Sequence, residues 1–182
     1  MSLTDDTHAL IESHFMGSHK LLAVDATCGN GNDTAFLMNL GFDNVFGFDI
    51  QAQAIQATHQ RLGDNDSLTL VQDSHAHLNS HITQPIDCLM FNLGYLPTGN
   101  KDLTTSATSS LKALESGLAL LSPQGLITIM CYPGHPSGAL ETQAIRGWLG
   151  NLESDKWIIE THLAASPKPA APILYVIKRE NY

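Results

Sequence analysis

Val24-Asp25-Ala26-Thr27-Cys28-Gly29-Asn30-Gly31-Asn32-Asp33-Thr34 is the stretch whose reading decides the fold. It follows the apolar run that starts at Leu21, and the pattern is that of a strand turning directly into a helix. Gly29 and Gly31 let the backbone come close to a ligand, and Asn32 or Asp33 is placed to cap the helix. That helix would present its positive end to whatever sits there. The stretch therefore reads as the nucleotide end of an α/β sheet, against the plainer alternative of a tight turn.

Outward from this turn, short β-rich runs alternate with helical patterns. The strand candidates are Leu21 to Thr27, Asn44 to Ile50, Leu68 to Asp73, Ile86 to Asn92, Leu126 to Tyr132, Trp157 to Leu163 and Ile173 to Lys178. The first five are continuous apolar runs ending in a polar residue, the pattern of parallel strands covered on both faces. Leu111, Leu114, Leu118 and Leu121 form one helical stripe, and Ile145, Trp148, Leu149 and Leu152 form another. Ser122-Pro123-Gln124-Gly125 reads as a turn that stops the first of these helices. After the fifth strand the order becomes helix, strand, loop, strand, which predicts a terminal antiparallel pair. The fold class is thus α/β and Rossmann-like, one domain over residues 1–182, with a seven-stranded, mostly parallel sheet. That is the layout of class I methyltransferases.

Composition excludes several other classes. The 182 residues carry 18 Asp and Glu against 9 Lys and Arg, and 43% are apolar, too many for a disordered chain. The longest apolar run, Leu126 to Met130, falls far short of the ~18 residues of a membrane span. Residues 1–6 show neither a basic nor an apolar signal region, so a cytoplasmic protein is expected. Cys28, Cys88 and Cys131 sit in apolar surroundings and read as buried thiols. The net charge of −9 argues against a generic nucleic-acid coat, although a local basic patch remains open.

Asp49 closes the second strand, where an acid can accept hydrogen bonds from both ribose hydroxyls of a nucleoside cofactor. NAD and S-adenosylmethionine share that geometry. Thr34 stands where a dinucleotide fingerprint carries its third glycine, and no Tyr-x-x-x-Lys pair serves hydride chemistry. Asp25 could reach the amino-acid portion of S-adenosylmethionine, which is the favoured cofactor. Past the third strand, Gln72-Asp73-Ser74-His75 offers polar groups to an adenine amino edge. His77 and His81 share a helical face and invite a metal, but no Cys or carboxylate ligands cluster with them, and none is expected.

The fourth strand ends in Phe91-Asn92-Leu93-Gly94-Tyr95-Leu96-Pro97. An amine nucleophile must aim its lone pair at a methyl carbon while its N–H bonds are held elsewhere. The Asn92 side-chain oxygen and the carbonyls of Leu93 or Gly94 are suitable acceptors. Tyr95 could stack on a target base or face a cationic methyl donor. Asp102 and His135 are candidate general bases, the latter within a Gly/Pro-rich turn after the fifth strand.

These motifs, with Lys101, Thr104-Thr105, Gly134-His135, Gly138 and Glu141, resemble the YtqB-like rRNA methylase family over essentially the whole chain. The family includes a tRNA wobble-uridine methyltransferase. The resemblance implies S-adenosylmethionine as donor, transfer to the aminomethyl nitrogen of 5-aminomethyl-2-thiouridine in tRNA, and a homodimer. It places Asp25, Thr27, Gly29, Asn30, Gly31, Asn32, Asp33, Asp49, Gln51, Asp73, Ser74, His75 and Asn92 at the cofactor. Tyr95, Lys101, Thr105 and His135 would face substrate, with Asn92, Tyr95 and His135 as the catalytic set. An rRNA or small-amine methyltransferase, or a non-catalytic S-adenosylmethionine-binding protein, are the alternatives. A tRNA would be met by Lys20, Lys101, Lys112, Arg146 and Lys168, and its binding should be strongly salt-sensitive.

Overall fold

A computed structural model describes residues 2–94, 105–164 and 171–180. In chain order the elements are α1 (Leu3–His14), β1 (Leu22–Asp25), α2 (Asn32–Leu40), β2 (Asn44–Asp49), α3 (Ala52–Leu62) and β3 (Leu68–Gln72). A 3-10 turn (His75–His77) leads into α4 (Leu78–His81), followed by β4 (Ile86–Asn92) and α5 (Ala107–Leu120). Next come β5 (Leu121–Cys131), α6 (Pro136–Leu149), β6 (Trp157–Leu163) and β7 (Ile173–Arg179). The sheet runs β3-β2-β1-β4-β5-β7-β6. Strands β1 to β5 are parallel, and β7 lies antiparallel between β5 and β6. The expected seven-stranded sheet with its terminal antiparallel pair is present.

Alternation along the strands builds two cores, one on each face. Leu22, Val24, Leu89, Phe91, Ile127 and Ile129 pack against Leu114 of α5 and Ile145 of α6. Their neighbours Ala23, Cys88, Met90, Leu126 and Val176 meet Ile11 of α1 and Leu37 of α2 on the other face. Near-continuous apolar runs are therefore what the central strands require. At the edge β3 this fails, because its residues are only partly buried or exposed. All three cysteines are buried free thiols.

Two expectations need correction. The residues Ser122 to Gly125 do not form a turn between helix and strand, because β5 already begins at Leu121, which leaves the helical stripe. Ile86 pairs with Leu121 and Cys88 with Leu126, so the extra residues are absorbed as a bulge inside the ladder. The sequence reading assigns no element before the first strand, yet Leu3–His14 form α1. Its Ser2 side chain accepts from the Asp5 N–H while the Asp5 carboxylate accepts from the Ser2 N–H, a capping box. No helix among the described residues is long and apolar enough to cross a membrane. Trp148 and Trp157 are half-buried against the core, and the Arg179 guanidinium lies 4.8 Å over the Trp157 ring.

Candidate active site

The carboxyl ends of β1, β2 and β4 open into one cleft of about 720 Å³. This lies within the ~300 to 1,000 Å³ typical of small-molecule sites, and it sits where the strand order reverses from β2-β1 to β4. Its floor is the turn after β1. Gly31 caps α2 with φ +75°, and a Cβ there would lie 3.0 Å from the Thr58 side chain, so the turn depends on glycine twice over. No side chain caps α2. The expected capping by Asn32 or Asp33 is absent because Gly31 holds the cap position and Asp33 is used elsewhere, as described below.

Thr27, Gly29, Asn30, Asn32, Asp33, Asp49, Gln51, Asp73, Ser74, His75, Asn92, Thr105 and His135 all line the cleft. Asp25 and Gly31 do not. Asp25 lies behind the wall, where its carboxylate accepts from the Thr34 hydroxyl at 2.6 Å and the Thr27 N–H at 3.2 Å. It shapes the turn and does not reach into the cleft. Tyr95, Lys101, Asp102 and Lys168 fall outside the described residues. Of the remaining basic candidates, Lys112 is exposed, Lys20 donates to the Ser18 carbonyl, and Arg146 donates to the Tyr175 hydroxyl.

Burial, with the Asp33 charge as a lesser cause, pushes the Asp25 carboxyl up to about 7 from its ordinary 3.8. The folded state thus holds this proton where the unfolded chain releases it. Stability from this group is complete below about pH 4, falls as pH rises, and levels off above about pH 7. Asp25→Asn removes the titration, so wild-type melting temperature should drop relative to the variant between those two values. Parallel pH curves would contradict it.

Asp49 receives the Gly29 N–H on one oxygen at 3.1 Å and the Gln51 N–H on the other at 2.9 Å. Each oxygen keeps a second lone pair, so the carboxylate can still take two donors from the cleft. Burial raises its pKa, while the two N–H groups counter that. Asp73 accepts from His77 at 2.9 Å and His81 at 2.8 Å, and these bonds hold its carboxyl well below the usual range. His77 and His81, whose shared face invites a metal, are thus partners of the Asp73 carboxylate. His75 is different. Its Nδ1–H donates to the Ala26 carbonyl at 3.2 Å, which leaves Nε2 as an acceptor, buried and without a hydrogen bond among the described residues. Burial lowers its pKa and keeps the ring neutral.

At the other side of the cleft, the Asn92 N–H donates to Thr27 Oγ1 at 2.8 Å, tying β4 to β1. The Gly94 carbonyl, offered above as an acceptor for an amine, takes the Thr105 N–H at 3.0 Å. Thr105 in turn donates its hydroxyl to Glu141 at 2.7 Å, and Ser110 donates to the same buried carboxylate at 2.6 Å. Residues that sequence reading missed also line the cleft, among them Thr4 of α1, Ser109 of α5 and Tyr132 after β5. The Ser2 to Asp5 capping box was the local signal for the first.

His135 is the N-cap of α6, and its Nδ1 accepts the Gly138 N–H at 3.0 Å. The same nitrogen also lies 2.8 Å from the Ser137 hydroxyl. In the structure the Nδ1 of this candidate base is therefore used to cap α6. His135→Ala should cost about 1 kcal/mol of stability and His135→Asn much less, which chemical denaturation of the three proteins would measure.

Residues 45–178 match the family described as "Putative rRNA methylase". A crystal structure of an rRNA methylase of that description from Clostridium thermocellum is 35% identical, covers 99% of this chain and 98% of its own, and has a TM-score of 0.91. A Streptococcus mutans protein described as a methyltransferase, solved with SAH, is 29% identical over 94% of this chain and 97% of its own, with a TM-score of 0.83. The chloroplastic tRNA (mnm(5)s(2)U34)-methyltransferase of Arabidopsis thaliana is 32% identical over 174 residues, 87% of this chain. The chain spans 63% of the length of that plant protein. With the seven-stranded class I methyltransferase sheet, the nucleoside-sized cleft at its reversal point and a match over most of its length, the chain belongs to the rRNA methylase family.

Proposed function

We propose that this protein is an S-adenosylmethionine-dependent N-methyltransferase acting on the aminomethyl group of 5-aminomethyl-2-thiouridine at the wobble position of tRNA. The observation that carries it is Asn92, which ends β4 inside the cleft with an amide able to hold an amine. Similarity to a tRNA wobble-uridine methyltransferase and to an SAH-bound methyltransferase supports the same reading.

The donor set fits the cofactor. Asp49 has acceptor capacity left for a vicinal diol, and the buried Nε2 of His75, without a hydrogen bond among the described residues, suits an N–H donor such as an adenine amino group. Asp73, the acid expected at that edge, is taken up by its two histidines and supports the loop. When bound, S-adenosylmethionine supplies a methyl group on a positively charged sulfur.

An aliphatic amine, with a pKa near 10.4 in water, arrives mainly as ammonium and must lose a proton before it can react. Removal from water favours the neutral amine. Asn92 Oδ1 can accept one of its N–H bonds, which leaves the lone pair directed elsewhere. Thr105, anchored by Glu141, holds the lip of the cleft beside Gly94.

Incubating the protein with labelled S-adenosylmethionine and tRNA from cells lacking the wobble methyltransferase tests the proposal directly. Label should appear in the wobble nucleoside after digestion to nucleosides. Label in another nucleoside, or none in tRNA, would reject it.

A further inference from the structure

Asp33 lies at the start of α2, buried at 8% exposure, and lines the cleft. Its Oδ2 accepts from Asn92 Nδ2 at 3.2 Å, and its Oδ1 meets His8 Nε2 of α1 at 2.8 Å. His8 is itself held, its ring stacked on Phe36 with centroids 3.9 Å apart and planes within 1°. Three elements remote in sequence, α1, α2 and β4, therefore meet at the Asp33 carboxylate.

The chemistry of the pair settles an orientation. A carboxylate only accepts hydrogen bonds, so the amide atom facing Asp33 must be the NH2 of Asn92. The amide oxygen diverges from it. Without Asp33, a half-turn of the amide would exchange oxygen for NH2 and set N–H against the N–H of an incoming amine. We propose that Asp33, braced by His8, is a positioning residue that fixes the Asn92 amide with its oxygen toward the substrate amine. This rests on the reading of the cleft as an amine methyltransferase site. It assigns α1 a part in turnover, because His8 lies in the first three turns of that helix.

Two readouts separate the proposal from that reading. In the full chain, with and without SAH, the Asn92 side-chain amide protons are followed by NMR. One of them should be shifted downfield in wild type by its bond to a charged acceptor, and the shift should be lost in Asp33→Asn. With tRNA as substrate, Asp33→Asn should lower kcat by about 10- to 100-fold, with KM for S-adenosylmethionine and melting temperature little changed. The exchanged pair Asp33→Asn with Asn92→Asp restores an N–H to carboxylate contact and keeps an acceptor on residue 92, so it should recover activity relative to Asp33→Asn alone. Should Asp33→Asn fail to fold, His8→Gln reads the same resonances, with a smaller shift in the same direction.

Amide resonances that do not respond to Asp33→Asn, or wild-type kcat in that variant, overturn the proposal. Equal loss of stability in all variants with no recovery in the exchanged pair does so too, since that is a purely structural role. A wild-type protein that methylates no tRNA removes the functional reading, and the resonances still decide whether Asp33 orients Asn92.

Discussion

Asn92→Ala lowers methyl transfer on the order of 100-fold while SAH binding changes far less. The reason lies in what the side chain can touch. Truncation deletes the amide oxygen that would hold the amine and leaves Asp33 Oδ2 without the Nδ2 donor. The backbone contact from Asn92 N–H to Thr27 survives, so β4 and the cleft floor stay in register. Asp49 and His75, the groups proposed for the cofactor, lie on other elements and are untouched. Steady-state kinetics paired with calorimetric titration of SAH measures both sides. A variant with full activity would show that the amine is held by something else, and one that lost SAH binding in proportion to rate would make Asn92 a cofactor residue first.

Gly138→Ala is expected to destabilise the protein on the order of 3 kcal/mol, which for a chain of 182 residues lowers Tm by roughly 6 to 12 °C. A Cβ at this position would stand 2.1 Å from the Tyr132 carbonyl oxygen and 2.8 Å from the His135 ring. The first obstacle is backbone, so no rotamer change relieves it and the start of α6 must move away. That shift breaks the Gly138 N–H to His135 cap and carries Glu141, one turn further on, away from Thr105 and Ser110. Activity should therefore fall along with stability. Thermal melting of the variant checks the first effect, and an unchanged Tm would mean that α6 tolerates the displacement.

Local pattern accounts for what the sequence made legible. Central strands such as β4 and β5 are apolar on both faces, and the helix after the glycine turn sits at the point of strand reversal. The first follows from nearest neighbours in the chain, and the second from the pairing of β1 with β4. β5 was misjudged at its start because Pro123 and Gly125 carry strong turn signals, and only pairing of Leu121 with Ile86 on another strand absorbs them into the ladder. α1 escaped notice because its buried positions are few and include Thr7. Asp25 illustrates the limit at the site: the end of a strand beside a cofactor turn predicts an acid, but not whether it faces out or back toward Thr34. The pairs His8 with Asp33 and Glu141 with Thr105 join residues more than twenty positions apart, and nothing local announces them. Tyr95 and Lys101, singled out for substrate, lie outside the described residues.

α1 packs its Leu3 and Ile11 into the same core layer as Leu174 and Val176 of β7. The strand that helps seat the helix is made about 160 residues after it during synthesis. Until β7 inserts between β5 and β6, the layer beneath α1 is incomplete, and so is the brace that His8 gives to Asp33. A nascent chain that already carries the whole glycine turn and Asn92 would thus still lack an ordered cleft wall. Helix α1 and strand β7 thus support the same wall of the cleft from opposite sides of the sequence between them.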